Sequence, residues 1–308
     1  MAKPGTEAGP RAKQEGGNAR GILLLVLAVA GFSGMDAAAK WLNLREPALQ
    51  TVAVRYAGAF LITACFLNPW TRPGILRSAR PGLQVLRALG VLGSSLCGFT
   101  ALKTLPITVV TSITFAAPLL VAVLAGPLLG EKLGPRRVVA VVVGFLGVLV
   151  ITRPGTAGFQ PGMWLALGAA GCSASYYLMT RVLSRHDAPE TTHFYTGLIG
   201  TLVSVPLALP GWQTPMATPV WLVIGFLSLA GAGAHWLLIL AHQRAPASVL
   251  SPFFYTQLLF AAVVGAVVFG NLPDRWTVAG GGIVIGSGLY LLNRERVRHR
   301  HPSVDLAA

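Results

Sequence analysis

The sequence predicts an all-α integral membrane protein in which ten transmembrane helices form two inverted five-helix repeats. Hydrophobic residues make up 54% of the 308 residues and charged residues only 11%, whereas soluble domains average about 25% charged residues. The chain contains ten apolar stretches whose lengths are close to or above about 20 residues, the length that a helix needs to cross a bilayer. The last five stretches match the first five at an offset of 140 residues. Because five is odd, the second repeat enters the membrane from the opposite side.

The connections between the predicted spans are short, which leaves no room for a second soluble domain. The ten spans cover residues 21–42, 49–68, 82–102, 106–128, 135–152, 161–182, 190–209, 218–241, 246–270 and 274–293. The first repeat is residues 21–154 and the second is residues 161–293. Residues 1–20 lack apolar periodicity and are predicted to be a disordered cytoplasmic tail. Residues 294–308 are predicted to be a basic cytoplasmic tail.

Matching residues at the constant offset indicate an internal repeat and are clearest from the third span onward. The matched pairs include Gly93/Gly233, Ala101/Ala241, Pro106/Pro246, Leu119/Leu259, Gly130/Gly270 and Val138/Val278. Pro106 and Pro246 each open a span, where the missing amide hydrogen removes no helical hydrogen bond. The same register through the spans makes chance similarity among apolar helices a poor explanation.

The net charge of +14 is compatible with nucleic-acid binding, but the distribution of the charge favours a membrane topology. With the N-terminus inside the cell, 18 of the 24 basic residues fall on the cytoplasmic side and five fall on the other side. This asymmetry follows the positive-inside rule, so both termini are expected to be cytoplasmic. The basic tail is expected to contact anionic lipid headgroups, and no nucleic-acid partner is expected.

Two charged residues lie within predicted spans at similar depth. Asp36 is near the outer end of the first span and Arg55 is past the outer start of the second. Each costs about 2.5–3.5 kcal/mol to insert at mid-membrane depth. An Asp36–Arg55 ion pair that neutralises buried charge is one interpretation. Contact with a substrate or a coupling proton is a second, and snorkelling of the charged groups to the membrane surface is a third. Lys40, four residues after Asp36, competes for its carboxylate.

His235 and Glu131 are further ionisable candidates. His235 lies inside the eighth span and is followed by Trp236; a histidine there could relay a proton or serve as hydrogen-bonded packing. Glu131 lies near a cytoplasmic end beside basic residues. It is expected to form a loop salt bridge or a gating contact at the inner mouth.

Polar and aromatic residues supply the remaining substrate-cavity and gating candidates. Thr111, Thr114 and Pro118 share one stripe of the fourth span. Tyr176 occupies the position in the second repeat that matches Asp36, and it could stack on a planar ligand or pack conventionally. Pro252, Tyr255 and Gln257 interrupt the apolar ninth span, as is tolerated where a helix faces protein or a wet cavity. Interhelical hydrogen bonding explains these residues as well as substrate contact does.

Other functional classes find less support in the sequence. A primary pump needs a phosphate-binding loop of the Gly-x-x-x-x-Gly-Lys-Ser type, which the sequence lacks. The three cysteines have no paired spacing, so no disulfide framework or zinc site is expected, and no cofactor either. An enzyme would need a cluster of a nucleophile, a base or metal ligands, and the sequence shows no such cluster. A channel stays as a remote alternative, although the sequence has no hydrophilic pore stripe or filter motif.

Several motifs resemble the EamA-type drug/metabolite transporter family. They are Phe99-Thr-Ala-Leu-Lys-Thr-Leu-Pro106, Pro118-Leu-Leu and Gly130-Glu-Lys-Leu133. The resemblance covers nearly the whole chain as two tandem EamA units. The segments Met35-Asp-Ala-Ala-Ala-Lys-Trp-Leu42 and Arg80-Pro-Gly-x-x-x-Leu-Arg87 resemble the branch for uptake of S-adenosylmethionine or riboflavin. The second unit departs from the pattern, because Asn271 stands at the position that matches Glu131.

The resemblance implies a ten-helix secondary transporter of small organic metabolites in a bacterial inner membrane. Its central cavity is expected between the two halves, and it is expected to work by alternating access in uptake or exchange. An exporter of amino acids or drug-like amphipathic compounds is the alternative. The expected partners are a small organic solute, protons, the lipid bilayer and a second copy of the chain.

Overall fold

The computed structural model of the protein describes residues 10–129, 135–215, 217–245 and 247–300, and within these ranges the chain is helical and has no β-strand. The prediction of an all-α membrane protein is confirmed for this part of the chain. The helices are α1 (Pro10–Asn43), α2 (Ala48–Phe66), α3 (Pro81–Leu102), α4 (Ile107–Thr114), α5 (Ala117–Leu129), α6 (Pro135–Thr152), α7 (Gly162–Leu183), α8 (Pro189–Ala208), α9 (Thr218–Arg244), α10 (Ala247–Phe254), α11 (Thr256–Phe269) and α12 (Arg275–Arg300). A short 3-10 turn, Leu209–Gly211, follows α8.

The predicted fourth and ninth spans are each broken into two helices. The first break lies at Phe115–Ala116 and the second at Tyr255. Pro118, the second residue of α5, explains the first break, because a proline has no amide hydrogen and its ring excludes the carbonyl of the residue four positions earlier. The two breaks lie at matching positions of the repeat, and the rings of Phe115 and Tyr255 contact each other with centroids 5.2 Å apart.

By length and apolar composition, six helical segments of the described chain can cross a membrane. They are Asn18–Asn43, Ala48–Phe66, Pro81–Leu102, Ile107–Leu124, Pro189–Gly211 and Thr218–Arg244. Two shorter apolar helices cover Val138–Thr152 and Thr256–Phe269. The break at Tyr255 shortens the helices of the predicted ninth span. The number of ten spans therefore stays a prediction.

Helices α1 and α12 extend into the predicted tails. Helix α1 begins at Pro10 and continues without a break into the first apolar stretch. Helix α12 ends at Arg300, within the predicted basic tail. Residues 10–20 and 294–300 are thus helical extensions of the bundle.

The most extensive contacts between helices correspond to one another when the two halves of the chain are exchanged. Helix α1 packs along α9 as α3 packs along α7, and α2 packs along α9 as α3 packs along α8. The pairs α2–α8 and α6–α12 correspond to themselves under the exchange. Helices of the first half are therefore mainly packed against helices of the second half, so the interior between the halves is lined by both.

Helices α6 and α12 approach each other closely at two glycines. A Cβ atom added to Gly147 would lie 2.8 Å from the carbonyl oxygen of Gly280, and one added to Gly280 would lie 2.5 Å from that of Gly147. Small residues that allow backbones to meet are typical of helix packing in lipid. This contact joins the ends of the two halves away from α2 and α8.

Candidate functional site

A cavity lies at the centre of the bundle, between α2 and α3 of the first half and α8 and α9 of the second. The cavity has a volume of about 40 Å³ and is partly open to the outside. Its lining combines charged, imidazole, hydroxyl and aromatic groups: Arg55, Tyr56, Ala59, Phe60, Thr63, Val91, His193, Thr196, Gly197, Gly231 and His235.

Arg55 is the fixed charge in the cavity wall. Its side chain is 6% exposed. The Nε atom donates to the sulfur of Met35 at 3.2 Å, and Nη1 donates to Ser95 Oγ at 2.9 Å. The guanidinium also lies over the ring of Tyr56, 4.7 Å from its centroid. The Tyr56 hydroxyl contacts Ser95 Oγ at 3.1 Å, so Ser95 connects the two side chains of α2 to α3.

Two histidines lie next to each other in the cavity wall. The rings of His193 on α8 and His235 on α9 have centroids 5.9 Å apart. His235 Nδ1 lies 2.8 Å from the carbonyl oxygen of Gly231. A carbonyl oxygen only accepts, so this contact requires a proton on Nδ1 and leaves Nε2 of the neutral ring as an acceptor. His193 Nε2 lies 3.4 Å from Thr63 Oγ1.

A second arginine, Arg87 on α3, lies beside the cavity at another level. Its Nε donates to Thr180 Oγ1 and its Nη1 donates to Thr196 Oγ1, both at 2.6 Å. Arg87 is eight residues from Ser95, which corresponds to about 12 Å along a helix. Arg55 and Arg87 therefore flank the cavity at two depths. Arg87 also joins α3 of the first half to α7 and α8 of the second.

Of the predicted substrate-cavity residues, Arg55 and His235 line this cavity. Asp36 is half-buried on α1 and lies within electrostatic range of Arg55. Among the contacts of the described residues, however, the two side chains form no ion pair within 4.0 Å. Arg55 donates to Met35 and Ser95 instead, because these neighbours lie closer to its guanidinium.

The prediction that Lys40 competes for the Asp36 carboxylate is wrong, because Lys40 contacts backbone carbonyls instead. Lys40 is 7% exposed, and its Nζ donates to the carbonyl oxygens of Leu102 at 2.8 Å and Leu105 at 2.6 Å. Leu102 is the last residue of α3 and Leu105 lies in the turn that follows; the last carbonyls of a helix have no helical partner. A cation also interacts favourably with the negative end of a helix dipole.

The other predicted residues lie away from the cavity lining. Tyr176 packs on Tyr177, with ring centroids 4.3 Å apart, and Trp236 is exposed. Thr111 is buried, and the Thr114 hydroxyl donates to the carbonyl of Val110. At the helix breaks lie Pro118, Tyr255 and Gln257, of which Gln257 accepts a bond from Ser33 through its backbone oxygen. Pro252 belongs to α10. Glu131 lies outside the described residues.

Sequence reasoning missed His193, Thr196, Tyr56 and Thr63, and it named Arg87 only as part of a family motif. His193 follows the start of the seventh predicted span closely, so its sequence position suggested a surface location. The spacing of Thr192, His193 and Thr196 near that start is a signal that could have found this wall, because residues three and four apart share a helix face.

Hydrogen bonds between the two halves close the bundle at both ends of the α2–α8 pair. At the start of α2, Gln50 Nε2 donates to the Gln213 carbonyl at 2.7 Å and Gln50 Oε1 accepts from the Gln213 amide at 2.8 Å. At the other end, the Asp187 carboxylate accepts from the Ser78 hydroxyl at 2.5 Å, the Ala79 amide at 2.8 Å and Gln84 Nε2 at 2.8 Å. The cavity thus lies between two sets of contacts that join the halves.

The chain is similar to membrane transporters over nearly its whole length. The model of the EamA-like transporter family matches residues 19–153 and 160–294. A riboflavin transporter of Vibrio cholerae is 30% identical over 91% of this chain and 95% of its own length. An S-adenosylmethionine uptake transporter of Rickettsia prowazekii is 26% identical, over 90% and 93% respectively. A pseudopaline exporter of Pseudomonas aeruginosa is 29% identical, over 86% and 93%.

A crystal structure with 17% sequence identity has the same fold, with a TM-score of 0.61 over 93% of this chain and 99% of that chain. The two family matches also coincide with the two repeats read from the sequence. Together with the helical bundle and its central cavity, the family matches and the relatives indicate a transporter and not an enzyme. The chain belongs to the EamA-like transporter family and is a multi-pass membrane transporter.

Proposed function

We propose that this protein is a secondary transporter that moves small organic metabolites across a bacterial inner membrane by alternating access. The observation that carries the proposal is the central cavity, which contains the buried guanidinium of Arg55 and is lined by helices of both halves. A charged group is expensive inside a membrane protein unless it faces a partner, a solute or water. Because both halves line the cavity, a movement of one against the other changes its access.

The proposed topology has ten spans in two inverted repeats, with both termini in the cytoplasm. The correspondence of the main helix contacts and the matching breaks at Phe115–Ala116 and Tyr255 support it. In transporters of this architecture, the binding site lies near the midplane where the repeats meet, and broken helices are common there. The asymmetric distribution of basic residues supports the orientation.

Alternating access requires that the contacts at one end of the cavity break while those at the other end hold. The Gln50–Gln213 pair and the Asp187 cluster, defined as Asp187 with Ser78, Ala79 and Gln84, are the candidates for these two closures. Each joins a segment of the first half to a segment of the second. We propose that they open in turn, driven by a gradient of the solute or of protons.

The relatives give two directions of transport. The S-adenosylmethionine uptake transporter supports uptake, and together with the riboflavin transporter it supports a heteroaromatic solute. The similarity to a pseudopaline exporter favours export as the second candidate. Both directions use the same cavity and the same movement of the halves, so solute gradients across the membrane would set the net flux.

Flux into vesicles tests the proposal. Purified protein is reconstituted into lipid vesicles, and the vesicles are preloaded with unlabelled riboflavin, S-adenosylmethionine or an amino acid mixture. Uptake of the labelled form of the same solute is then followed. We expect saturable counterflow for at least one solute, and a loss of at least about tenfold in Arg55→Gln, since a charge-assisted contact is removed. Absence of counterflow for every solute tried, with correctly inserted protein, would contradict the proposal.

Two substitutions serve as matched controls for this experiment. Arg72→Gln removes an exposed arginine from the connection between α2 and α3, and we expect normal flux. His242 makes the same contact with a backbone carbonyl four residues earlier as His235 does, but it is exposed. We therefore expect His235→Gln to reduce flux and His242→Gln to leave it unchanged.

A further inference from the structure

We infer that the central cavity selects solutes that carry an anionic group, a carboxylate or a phosphate, beside a planar ring, and that Arg55 binds this group. The inference rests on the proposed function, because it assigns a substrate class to the same cavity. It follows from the charges and the hydrogen-bond partners around the cavity, which differ from those expected for a cation-binding site.

The two arginines beside the cavity have only neutral hydrogen-bond partners among the described residues. Arg55 donates to a thioether and a hydroxyl, and Arg87 donates to two threonine hydroxyls. In both side chains, Nη2 makes no hydrogen bond within the described part of the chain. Buried charges in proteins are normally paired. The unused donors of these two guanidinium groups are therefore available to bind an anionic group of a solute.

No carboxylate lines the cavity in the described ranges. The lining groups other than Arg55 are imidazoles, hydroxyls, aromatic rings and aliphatic carbons. Asp36 lies within electrostatic range of Arg55, but it is neither in the lining nor within 4.0 Å of the guanidinium. The wall that a solute meets therefore carries positive charge, and a cationic solute would have no counter-charge to contact.

The hydroxyl groups that hold Arg87 are already committed to backbone carbonyls. Thr180 donates to the Tyr176 carbonyl at 2.6 Å and Thr196 donates to the Thr192 carbonyl at 2.7 Å. Each hydroxyl oxygen therefore presents its lone pairs to Arg87, which fixes this guanidinium as a link between helices. Arg55 belongs to the lining itself, so it is the arginine that reaches the solute.

The planar part of the solute is recognised by rings. Tyr56, Phe60, His193 and His235 all contribute to the same wall. The ring of Phe60 packs on Phe194 and that of His235 on Phe32, both at T-shaped angles. These rings are held by neighbours, and aromatic faces favour offset stacking with a planar ligand. Guanidinium and rings therefore lie side by side.

A series of ligands that differ only in charge tests the inference. Binding of naphthoate, naphthyl phosphate, naphthamide and naphthylmethylammonium to the purified full chain is measured by titration calorimetry. We expect the carboxylate or the phosphate to bind at least about tenfold more tightly than the ammonium compound, since a charge-assisted bond to arginine is gained. The two anions show which of the two acceptor groups fits better.

Substitutions locate the origin of this preference. In Arg55→Gln, the naphthoate and naphthamide affinities should become equal within about twofold, because the neutral amide side chain no longer favours a charge. Arg55→Lys should retain a weaker anion preference, since lysine keeps the charge but loses the planar fork. Arg72→Gln should bind like the wild type. If Arg55→Gln does not fold, the ligand series on the wild-type protein still decides the inference.

Equal or tighter binding of the ammonium compound would overturn the inference, as would an anion preference that survives in Arg55→Gln. Vesicle flux separates this failure from that of the proposed function. Counterflow together with cation preference would retain the transporter and reject the anion site. Anion-selective binding without flux of any solute would retain the site and reject transport.

Discussion

Lys40 illustrates how a single charged residue is accommodated in a membrane-embedded core. Its ammonium group satisfies the carbonyls of Leu102 at the end of α3 and Leu105 in the turn that follows, and it lies 5.6 Å from the ring centroid of Phe269. Lys40 therefore connects α1 to the turn between α3 and α4. The charge that appeared in the sequence as a candidate for ion pairing acts as a cap for a helix.

Replacing this cap should destabilise the protein. We expect Lys40→Met to lower the free energy of unfolding by about 1–3 kcal/mol, because two buried carbonyls lose their donor. Thermal unfolding of the detergent-purified protein measures the change. Lys103→Met removes an exposed lysine at the end of α3, the helix that Lys40 caps, and should have little effect. An unchanged melting temperature for Lys40→Met would show that the cap contributes nothing.

Asp187 is a residue whose contribution depends on pH. Burial acts to raise the pKa of its carboxyl group, but hydrogen bonds from Ser78, Ala79 and Gln84 outweigh this effect, so that the pKa lies below the usual value of 3.8. A carboxyl group with a lowered pKa in the folded state stabilises the protein above its unfolded pKa. The contribution is lost as the pH falls through the lowered value.

The sign of this linkage gives a prediction for Asp187→Asn. At pH 7 the variant should be less stable than the wild type by about 1 kcal/mol, since charge-assisted hydrogen bonds are replaced by neutral ones. The difference should begin to shrink as the pH falls below about 4 and should vanish once the pH lies below the lowered pKa of Asp187. Unfolding by denaturant at several pH values measures both. Glu190→Gln is the control outside the Asp187 cluster. Its free energy of unfolding should change between pH 7 and acid by the same amount as that of the wild type.

At the scale of elements, the contact between α2 and α8 depends on a glycine. A Cβ atom added to Gly200 would overlap the ring of Tyr56, which is itself 4% exposed and connected to Arg55 through Ser95. The close approach of these two helices therefore fixes the position of the charged group in the cavity wall. Sequence spacing predicts both helices but gives no indication that Gly200 faces Tyr56.

Gly200→Ala should disturb this contact. We expect a loss of about 1–3 kcal/mol in stability, as is typical for overpacking in a filled core, together with reduced flux because Tyr56 is displaced. Thermal unfolding and vesicle counterflow are the measurements. Gly171→Ala is the matched control, since no atom lies within 4 Å of its added Cβ. If both variants behave alike, the packing of Gly200 on Tyr56 has no energetic importance.

The broken helices are the elements in which local sequence and tertiary contact act together. Pro118 ends α4 by its own covalent structure, and the sequence marked this position. In the second half Pro252 lies within α10, three residues before the break at Tyr255, so the matching breaks are not produced by prolines at matching positions. The contact of Phe115 with Tyr255 joins them across the bundle.

At the scale of the whole molecule, the correspondence of the main helix contacts supports two repeats, and five spans in each repeat would give the repeats opposite orientations. Lys103 at the end of α3 and Gln243 near the end of α9 differ by the repeat offset, and both are exposed. In an inverted arrangement these two positions lie on opposite sides of the membrane. A parallel arrangement of the repeats would place them on the same side.

Cysteine labelling of intact cells distinguishes these arrangements. In a background without Cys65, Cys97 and Cys172, Lys103→Cys should react with a membrane-impermeant maleimide added outside. Gln243→Cys should react only after the membrane is permeabilised, because the positive-inside rule places it in the cytoplasm. Labelling of both positions from outside, or of neither, would contradict the proposed topology.

The sequence by itself determined the membrane-embedded helical class and the two EamA units, and it singled out Arg55 and His235, which line the cavity. These depend on composition, on a constant offset and on the cost of placing an ionisable residue in lipid, all of which are visible along the chain. The tertiary structure decided that His193, Thr196 and Tyr56 join them, that Arg55 contacts Ser95 and not Asp36 within hydrogen-bond distance, and that Lys40 caps α3. Such contacts depend on how far apart packed helices lie and how each is rotated, and residues up to 224 positions apart, such as Ser33 and Gln257, meet only after the two halves have packed together.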